Sequence, residues 1–350
     1  MRRPIIHLKN YLPSEMSELV KTWKLPPYRG DQILEWLYQK KISCADEMTN
    51  LPKGLREQIN NEAIIVSLEL AEKLTSPRDG TEKFLFKTED GELIECTVMK
   101  HDYGNTVCVS SQIGCNMACL FCASTKGGLV RNLSSGEMLD QVILAEKHLE
   151  KTMRINNIVV MGMGEPLQNL YNLLRFLRTS QHPQGLGISF RNITVSTAGI
   201  PPRIIDLADE KLPLTLAVSL HAADNHTRNK LMPINKNYPL EKVMEACIYY
   251  LEKTQRRITF EYVLMADIND SPQQAKELAE LIKKMLCHVN LIPANPIKEA
   301  NIKKPSLDKV KEFANILEQH GVSVSIRKEK GTDIEGACGQ LRRRYSQPSS

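Results

Sequence analysis

Three cysteines lie within one eight-residue stretch, at Cys115, Cys119 and Cys122. Thiolates of this kind bind zinc ions or iron–sulfur clusters. A closed structural zinc site takes four protein ligands, usually as two spaced pairs, and no fourth cysteine or histidine stands directly beside these three. Cys108 is seven residues earlier and could complete a tetrahedron, so a zinc loop stays open as an alternative. The tight set of three favours a [4Fe–4S] cluster with one iron open to a small ligand.

Several other motifs combine glycine, a carboxylate and small polar residues. In the stretch 162–166, Gly162 and Gly164 allow a ligand to approach the backbone closely, and Glu165 could accept hydrogen bonds from an ammonium group. Ser, His and Asn side chains elsewhere could bind a ribose, a carboxylate or an adenine edge, although each alone is more often a strand-end or turn residue. The candidates of this kind, with one apolar neighbour, are Ser196, Ser219, Leu220, His221 and Asn295.

These motifs follow predicted strands, because strand and helix patterns alternate from about residue 106 onward. The alternation predicts parallel strands joined by right-handed helical crossovers. Six such units are too few for a closed eight-stranded barrel, so we expect an α/β fold with a partial (β/α)6 barrel and its site at the carboxyl ends of the strands. The predicted strands are 106–110, 157–161, 192–196, 214–219, 258–264 and 288–292, with 322–326 as a seventh. The predicted helices are 135–149, 168–180, 201–209, 240–253, 272–285 and 306–320, and Ser134 with Glu137 forms a capping box for the first.

Four units are predicted along the chain. Residues 1–75 are interpreted as a small helical accessory domain, and 76–104 as a β-hairpin linker with a tight turn at Asp90-Gly91. The barrel occupies 105–328. Residues 329–350 form a C-terminal segment that contains Cys338 and ends in a basic tail.

The composition is that of an ordinary globular protein, with 42% hydrophobic and 25% charged residues and a net charge of +5. No run of 18 apolar residues occurs and no signal peptide is evident, so we expect a cytoplasmic protein without a membrane span. Nine cysteines, an odd number, argue against a disulfide framework. Of the others, Cys44, Cys96, Cys247 and Cys287 are interpreted as small buried hydrophobic residues. The basic residues of 327–344 form either a solvated tail or a nucleic-acid contact.

The cysteine motif, with Phe121 before its last cysteine, resembles that of the radical-SAM superfamily. The wider stretch 108–133, together with 28–38 near the start and 333–341 near the end, is similar to the dual-specificity 23S rRNA/tRNA adenine-C2 methyltransferases of the RlmN/Cfr family. The resemblance implies that S-adenosylmethionine chelates the open iron of a [4Fe–4S] cluster. It also implies that Gly164, Glu165, Ser196, Ser219, Leu220, His221 and Asn295 contact this cofactor.

The resemblance further implies a covalent route with two S-adenosylmethionine molecules per turnover. The first methylates the sulfur of Cys338. The second, cleaved by the reduced cluster, gives a radical that abstracts a hydrogen from this S-methyl group, and the resulting carbon radical adds to adenine C2. Cys108 then releases the product by forming a transient disulfide with Cys338, and Glu95 is the proton acceptor.

The same resemblance implies 23S rRNA and tRNA as substrates, with the adenine presented unpaired or flipped out. The N-terminal domain and the basic C-terminal run are expected to contact RNA phosphates. We also expect an electron donor such as flavodoxin and a monomeric enzyme. Two alternatives stay open: a Cfr-type enzyme that methylates C8 of the same rRNA base, and a zinc-binding RNA-binding protein without catalytic activity.

Overall fold

The structure is a computed structural model that describes residues 5–150, 153–295, 302–334 and 341. The chain begins with a small helical unit closed by two short parallel strands, and its second helix continues into a π-helical turn over Glu35–Gln39. Lys9 is buried here and forms an ion pair with Asp140 of the barrel, which attaches this unit to it. The elements are β1 (Ile6–His7), α1 (Pro13–Thr22), α2 (Tyr28–Leu34), α3 (Lys53–Glu62) and β2 (Ala63–Ile64).

The rest of the chain is built on one ten-stranded sheet, with a two-stranded hairpin of β7 and β8 beside it. The strands are β3 (Leu68–Thr75), β4 (Glu82–Thr88), β5 (Leu93–Met99), β6 (Asn105–Cys108), β7 (Gln112–Gly114), β8 (Leu129–Asn132), β9 (Ile155–Val160), β10 (Ile193–Thr197), β11 (Thr215–Ser219), β12 (Ile258–Leu264), β13 (Cys287–Pro293) and β14 (Val324–Ile326). The helices are α4 (Ser135–Lys147), α5 (Leu170–Gln181), α6 (Pro201–Asp209), α7 (Asn225–Leu231), α8 (Leu240–Thr254), α9 (Pro272–Ile282) and α10 (Leu307–Gln319).

The sheet order is β14-β13-β12-β11-β10-β9-β6-β5-β4-β3, and the strands from β6 to β14 run parallel. Met99 of β5 and Ile326 of β14 lie seven strands apart in this order, yet both line one cavity. The sheet must therefore curl into an open barrel. This confirms the expected α/β fold with a partial barrel, and the capping box of Ser134 and Glu137 is present at the start of α4.

The segment before the hairpin corrects the sequence interpretation. Residues 68–75 were taken as part of a helical unit, but they form β3, which pairs antiparallel with β4. Exposed residues alternate with more buried ones along this strand, and that period of two is the pattern of an edge strand rather than a helix. The extension of the barrel thus has three antiparallel strands instead of two. Helix α7 and the hairpin of β7 and β8 were not predicted.

The two faces of the sheet differ in chemistry. On β9, Ile158 and Val160 are buried in the core beneath the helices, whereas Asn157 and Val159 face the inside of the barrel. The same alternation recurs on β10 and β12, where Thr194 and Thr259 point inward. The outer face therefore packs the helices, and the inner face lines a polar space that we call the lumen.

Cysteine burial agrees with the sequence interpretation only in part. Cys96 and Cys247 are buried and Cys287 is half-buried, but Cys44 is exposed, so its interpretation as a buried residue was wrong. Cys44 lies in a loop that begins a short 3-10 turn, where no neighbouring helix covers it. No helix in the described part of the chain is long and apolar enough to cross a membrane.

Candidate active site at the carboxyl ends of the strands

The three clustered cysteines lie on a loop that leaves β7 and returns through β8. The backbone N–H of Cys115 donates to the carbonyl of Gly128 at 2.9 Å and closes the base of this loop. Gly114, with φ of +75°, makes the closure possible, because a Cβ there would lie 1.9 Å from the carbonyl oxygen of Gly128. A second anchor runs from the N–H of Leu120 to the carbonyl of Leu231, at 2.9 Å. These two hydrogen bonds fix the loop at its base and near its middle.

The thiols lie in an apolar wall. Cys115 is buried and Cys119 half-buried, and the apolar side chains packed with them include Met117, Leu231 and Met232. Burial, with smaller contributions from the neighbouring Cys122 and Glu165, raises the pKa of the Cys115 thiol to about 12, against the opposing effect of a backbone hydrogen bond at Met117. Burial also raises the pKa of Cys119, with added effects from Cys122 and Cys115. Thiolates here need a bound cation to be stable.

The three thiols form one set of neighbours, since the charge of Cys122 raises the pKa of both Cys115 and Cys119. Cysteine thiolates are the usual ligands of iron–sulfur clusters, and three of them leave one iron of a [4Fe–4S] cluster open. The chemistry of the donor set therefore fits a [4Fe–4S] cluster.

Glu165 follows β9 and lies beside the cysteine loop. Its carboxylate accepts hydrogen bonds from the backbone N–H groups of Ala198 (2.7 Å) and Leu167 (3.1 Å). Burial raises the pKa of Glu165 to about 7, against the opposing effect of these hydrogen bonds. Gly164 packs tightly against Gln112, where a Cβ would come within 2.6 Å of its side chain. The predicted Gly-Glu motif is thus folded against the cysteine loop.

The neighbouring strands bring in the next group of predicted residues. Ser196 is in β10 and Ser219 ends β11, and Leu220 and His221 follow directly. His221 has φ of +57°, its Nδ1 accepts from the N–H of Val263 at 3.0 Å, and its ring lies edge-on to Phe121 with centroids 4.6 Å apart. Burial lowers the pKa of His221 to about 3, so its ring is neutral and Nε2 carries the proton. These four residues lie at the same edge as the cysteine loop.

A buried arginine that the sequence interpretation missed connects these strand ends. Arg228 is fully buried on α7, and its guanidinium donates to the carbonyls of Ala198 (2.7 Å), Ser219 (3.1 Å) and Leu220 (3.1 Å). Its remaining nitrogen donates to Asn235 at 2.7 Å. Burial lowers the pKa of Arg228 to about 10. The run Asn225–Leu231 is mostly polar and resembles a solvated helix, so no sequence signal marked this position.

Cys108 and Glu95 face the lumen below this edge. Cys108 ends β6 and is directly opposite Thr97 of β5, and Glu95 is two residues before Thr97, so all three share one face of the sheet. Glu95 is buried and forms an ion pair with the fully buried Lys83, with 3.0 Å between Nζ and Oε2. The structure therefore brings together a thiol and a carboxylate that are 13 residues apart.

Two of the predicted residues are less well placed. Asn295 is exposed in the loop after β13, at the end of a described stretch, and its role in ligand binding stays a prediction. Cys338 and the basic residues 342–344 lie outside the described residues.

Comparisons with known proteins agree with this geometry. Residues 109–282 match the family model of the radical SAM superfamily, and residues 6–65 match that of the ribosomal RNA large subunit methyltransferase N-terminal domain. Two similar relatives, from Natranaerobius thermophilus and Geobacillus kaustophilus, are each named "Probable dual-specificity RNA methyltransferase RlmN". Both are 50% identical to the chain. The first alignment covers 96% of this chain and 97% of the relative, and the second covers 97% of this chain and 95% of the relative.

A solved structure shows the same architecture along nearly the whole chain. The radical SAM methyltransferase from Sphaerobacter thermophilus superposes with a TM-score of 0.92 and 41% identity, covering 96% of this chain and 98% of that one. The chain belongs to the RlmN family of RNA methyltransferases within the radical SAM superfamily.

Proposed function

We propose that this enzyme methylates C2 of a specific adenine in 23S rRNA and of an adenine in the anticodon loop of tRNAs. One observation carries the proposal. A loop that follows β6 at the carboxyl ends of the curled sheet carries three thiols, and the lumen face of that sheet carries a fourth thiol, Cys108, with the buried carboxylate of Glu95. The assignment of both RNA substrates, 23S rRNA and tRNA, rests on the names of the relatives and on the chemistry of these thiols and this carboxylate.

The proposed cofactors are a [4Fe–4S] cluster and two S-adenosylmethionine molecules per turnover. A reduced cluster with S-adenosylmethionine at its open iron supplies radical chemistry, which suits adenine C2 because this electron-poor carbon cannot attack a methyl sulfonium. Cys115, Cys119 and Cys122 would hold the cluster, and Glu165 would bind the amino group of the methionine. The other cofactor contacts that we propose are Gly164, Ser196, Ser219, Leu220, His221 and Asn295.

Three residues of the chain would transfer and release the methyl carbon. Cys338 carries it as S-methylcysteine and becomes linked through this carbon to adenine C2. The thiolate of Cys108 would attack the Cys338 sulfur, so that a disulfide forms as the sulfur–carbon bond breaks. The released carbon would take up a proton to become the methyl group, and the adduct would give up the one electron that was consumed in forming the radical. Glu95, which forms an ion pair with Lys83 on the lumen face, would accept the C2 proton. Reduction of the disulfide restores both thiols.

The partners follow from the same chemistry. The RNA must present its adenine unstacked, since the reacting residues face the inside of a barrel. A one-electron donor such as flavodoxin would reduce the cluster. We propose that the enzyme acts as a monomer in the cytoplasm, where free thiols persist and both RNA substrates are made.

The test is a reaction with anaerobically reconstituted enzyme, S-adenosylmethionine, a reductant and 23S rRNA or tRNA transcripts. We expect 2-methyladenosine in the digested RNA by mass spectrometry, and none with Cys338→Ala, while this variant still assembles its cluster. A product of 8-methyladenosine would favour the Cfr-type activity and contradict the C2 assignment. Methylation by Cys338→Ala at the wild-type rate would contradict the covalent route.

The zinc-binding alternative makes a different prediction for the same sample. A non-catalytic zinc protein would contain one zinc ion per chain and no visible absorbance, whereas a [4Fe–4S] enzyme contains four irons and four sulfides and is brown. The match of residues 109–282 to the radical SAM family model favours the cluster.

A further inference from the structure

Arg131 lies on β8, on the return side of the cysteine loop, and contacts two carboxylates. Its Nε and Nη2 donate to Asp90 at 2.6 and 2.9 Å, and its Nη1 and Nη2 donate to Glu137 at 3.0 and 2.7 Å. Nη1 also donates to the carbonyl of Asn132 at 3.1 Å. A guanidinium has five N–H groups, so every donor of Arg131 has an acceptor.

Both carboxylates are fixed by further contacts. The hydroxyl of Thr88 donates to Asp90 at 2.5 Å, and Glu137 accepts from the N–H of Ser134 at 2.8 Å as part of the capping box. The hydrogen bonds from Arg131 and Thr88 hold the pKa of Asp90 well below its ordinary value, so this carboxyl is an anion at neutral pH. Two bidentate contacts on one guanidinium give a more definite geometry than a single surface ion pair.

One of the two partners belongs to the hairpin that carries the proposed base. Asp90 is in the turn between β4 and β5, and Glu95 is five residues farther along, in β5. From this turn onward, β4 and β5 pair residue by residue. A displacement of the turn therefore moves the end of the strand on which Glu95 lies.

The other partner gives a second connection to the same base. Glu137 is in the first turn of α4, and Gln141, one turn later, exchanges two hydrogen bonds with the backbone of Ser110, at 2.7 and 3.0 Å. The hydroxyl of Ser110 donates to the carbonyl of Glu95 at 2.7 Å. The guanidinium of Arg131 thus contacts both elements that hold Glu95 in place.

Strand β8 itself belongs to the cysteine loop. Arg131 is opposite Ile113 of β7, two residues before the first cysteine of the loop. The side chain of Asn132 accepts from Gln112 at 2.8 Å, and Gln112 in turn accepts from the N–H of Glu165 at 2.7 Å. In the described part of the chain, β7 and β8 form a two-stranded sheet of their own. Their position relative to the hairpin of β4 and β5 therefore depends on side-chain contacts such as those of Arg131.

We infer that Arg131 is a positioning residue that sets the distance between the loop of the three clustered cysteines and Glu95. This inference rests on the proposed function, in which the radical step begins at the cluster and Glu95 removes a proton from the same adenine. A displacement of about 1 Å can lower a rate on the order of a hundredfold, even when the changed residue is far from the reacting atoms. Arg131 acts through its two carboxylate partners and takes no part in the chemistry.

The first test compares Arg131→Met with Arg178→Met in the full-length, anaerobically reconstituted enzyme. Arg178 forms an ion pair with Glu210 at 2.6 Å on the outer helices, so this control also removes an arginine from a partly exposed ion pair. In the proposed reaction the protein stays linked to the RNA until the proton is removed. The linked species is followed through a single turnover on denaturing gels with labelled RNA. We expect Arg131→Met to release the RNA about tenfold more slowly than the wild type and the control.

A purely structural role predicts a different result. It would lower the Tm and the iron content but would not slow release in the enzyme molecules that fold and hold a cluster. We expect the Tm of Arg131→Met to stay within about 2–4 °C of the wild type, because partly exposed ion pairs contribute little to stability.

Two further variants test whether the contact with Asp90 carries the effect. Arg131→Lys should recover only part of the release rate, since an ammonium group cannot form two bidentate contacts. Asp90→Asn should also slow release, and its combination with Arg131→Met should be within about twofold of Arg131→Met alone, because both changes break the same contact. If Arg131→Met does not fold, Arg131→Lys and Asp90→Asn decide the question.

Hydrogen exchange measured by mass spectrometry gives a readout that needs neither RNA nor a reductant. Arg131→Met should exchange faster in two segments, residues 88–95 and residues 115–130, because each loses a contact that restrains it. Arg178→Met should leave both segments unchanged.

Specific outcomes would overturn the inference. One is release at the wild-type rate by the folded Arg131→Met variant, whether or not its exchange is faster, and another is unchanged exchange in both segments. Wild-type enzyme that methylates no adenine would instead contradict the proposed function, and faster exchange in Arg131→Met would still show that Arg131 holds the two segments together.

Discussion

At the scale of single residues, the ion pair of Lys83 and Glu95 distinguishes this site from an ordinary barrel interior. Both side chains are buried, and burying two charges is costly unless they are paired. Glu95 lies in a strand pattern, and nothing in the sequence around it indicates a catalytic role. Only the resemblance to the family identified it as a candidate proton acceptor. The contact with Lys83 could not be predicted, because the two residues are on different strands.

We predict that Lys83 positions Glu95. Lys83→Met should lower methylation about ten- to a hundredfold and the free energy of unfolding by about 3–5 kcal/mol, because it removes the cation that forms an ion pair with the buried carboxylate of Glu95. Lys83→Arg should recover most of the activity. The measurement is the rate of methylation against pH, together with urea unfolding.

A double variant separates the effect of Lys83 on the position of Glu95 from its effect on the stability of the protein. Lys83→Met with Glu95→Gln should recover stability but not activity, since no unpaired charge remains and no base is present. Full activity of Lys83→Met with an unchanged pH profile would show that Lys83 has no positioning role.

Glu261 gives a prediction about pH. Burial raises the pKa of this lumen carboxyl, while Arg327 and Asn290 oppose the shift. The folded state therefore holds a proton that the unfolded state has already lost, so the contribution of Glu261 to stability is full at acid pH and is lost as pH rises through the folded pKa. Glu261→Gln should gain stability relative to the wild type as pH rises above the ordinary carboxyl pKa of about 4.3, with each kcal/mol worth roughly 2–4 °C in Tm. A Tm difference that does not change with pH would contradict this.

At the scale of elements, the sequence predicted the strands and crossover helices of the barrel well, but it missed an edge strand and the closure of the cysteine loop. Helix–strand alternation is periodic, so the six crossovers and the hairpin of β4 and β5 were identified to within a few residues. β3 was missed because it mixes apolar and charged residues that are half-exposed, as in many surface helices. The loop closure at Gly114 depends on contact with residue 128, and no local pattern shows such a contact. The division of the chain into four units stays a prediction.

Arg228 provides the prediction at this scale. It connects the ends of β10 and β11, so Arg228→Met removes the donor of three hydrogen bonds to backbone carbonyls, at about 1–3 kcal/mol each. We expect a loss of at least about 3 kcal/mol in urea unfolding and a lower iron content after reconstitution. Lys230→Met, an exposed change in the same helix, is the matched control. Equal stability of the two variants would contradict this role.

At the scale of the whole molecule, the two ends of one barrel differ in chemistry. The carboxyl ends hold buried thiols in an apolar wall, and a polar cavity with several basic side chains lies inside the barrel toward the amino ends. The thiols could be predicted from their close spacing in the sequence. The basic side chains of the cavity could not, since Lys100, Arg191 and Arg327 come from distant segments and meet only when the sheet curls.

The most direct measurement of the central claim is electron paramagnetic resonance of the anaerobically reconstituted, reduced protein with and without S-adenosylmethionine. Three thiolates that leave one iron open predict a [4Fe–4S] signal that changes when S-adenosylmethionine is added, and loss of the signal in Cys122→Ala. A signal that is identical with and without S-adenosylmethionine, or one zinc ion per chain in place of iron, would contradict the account.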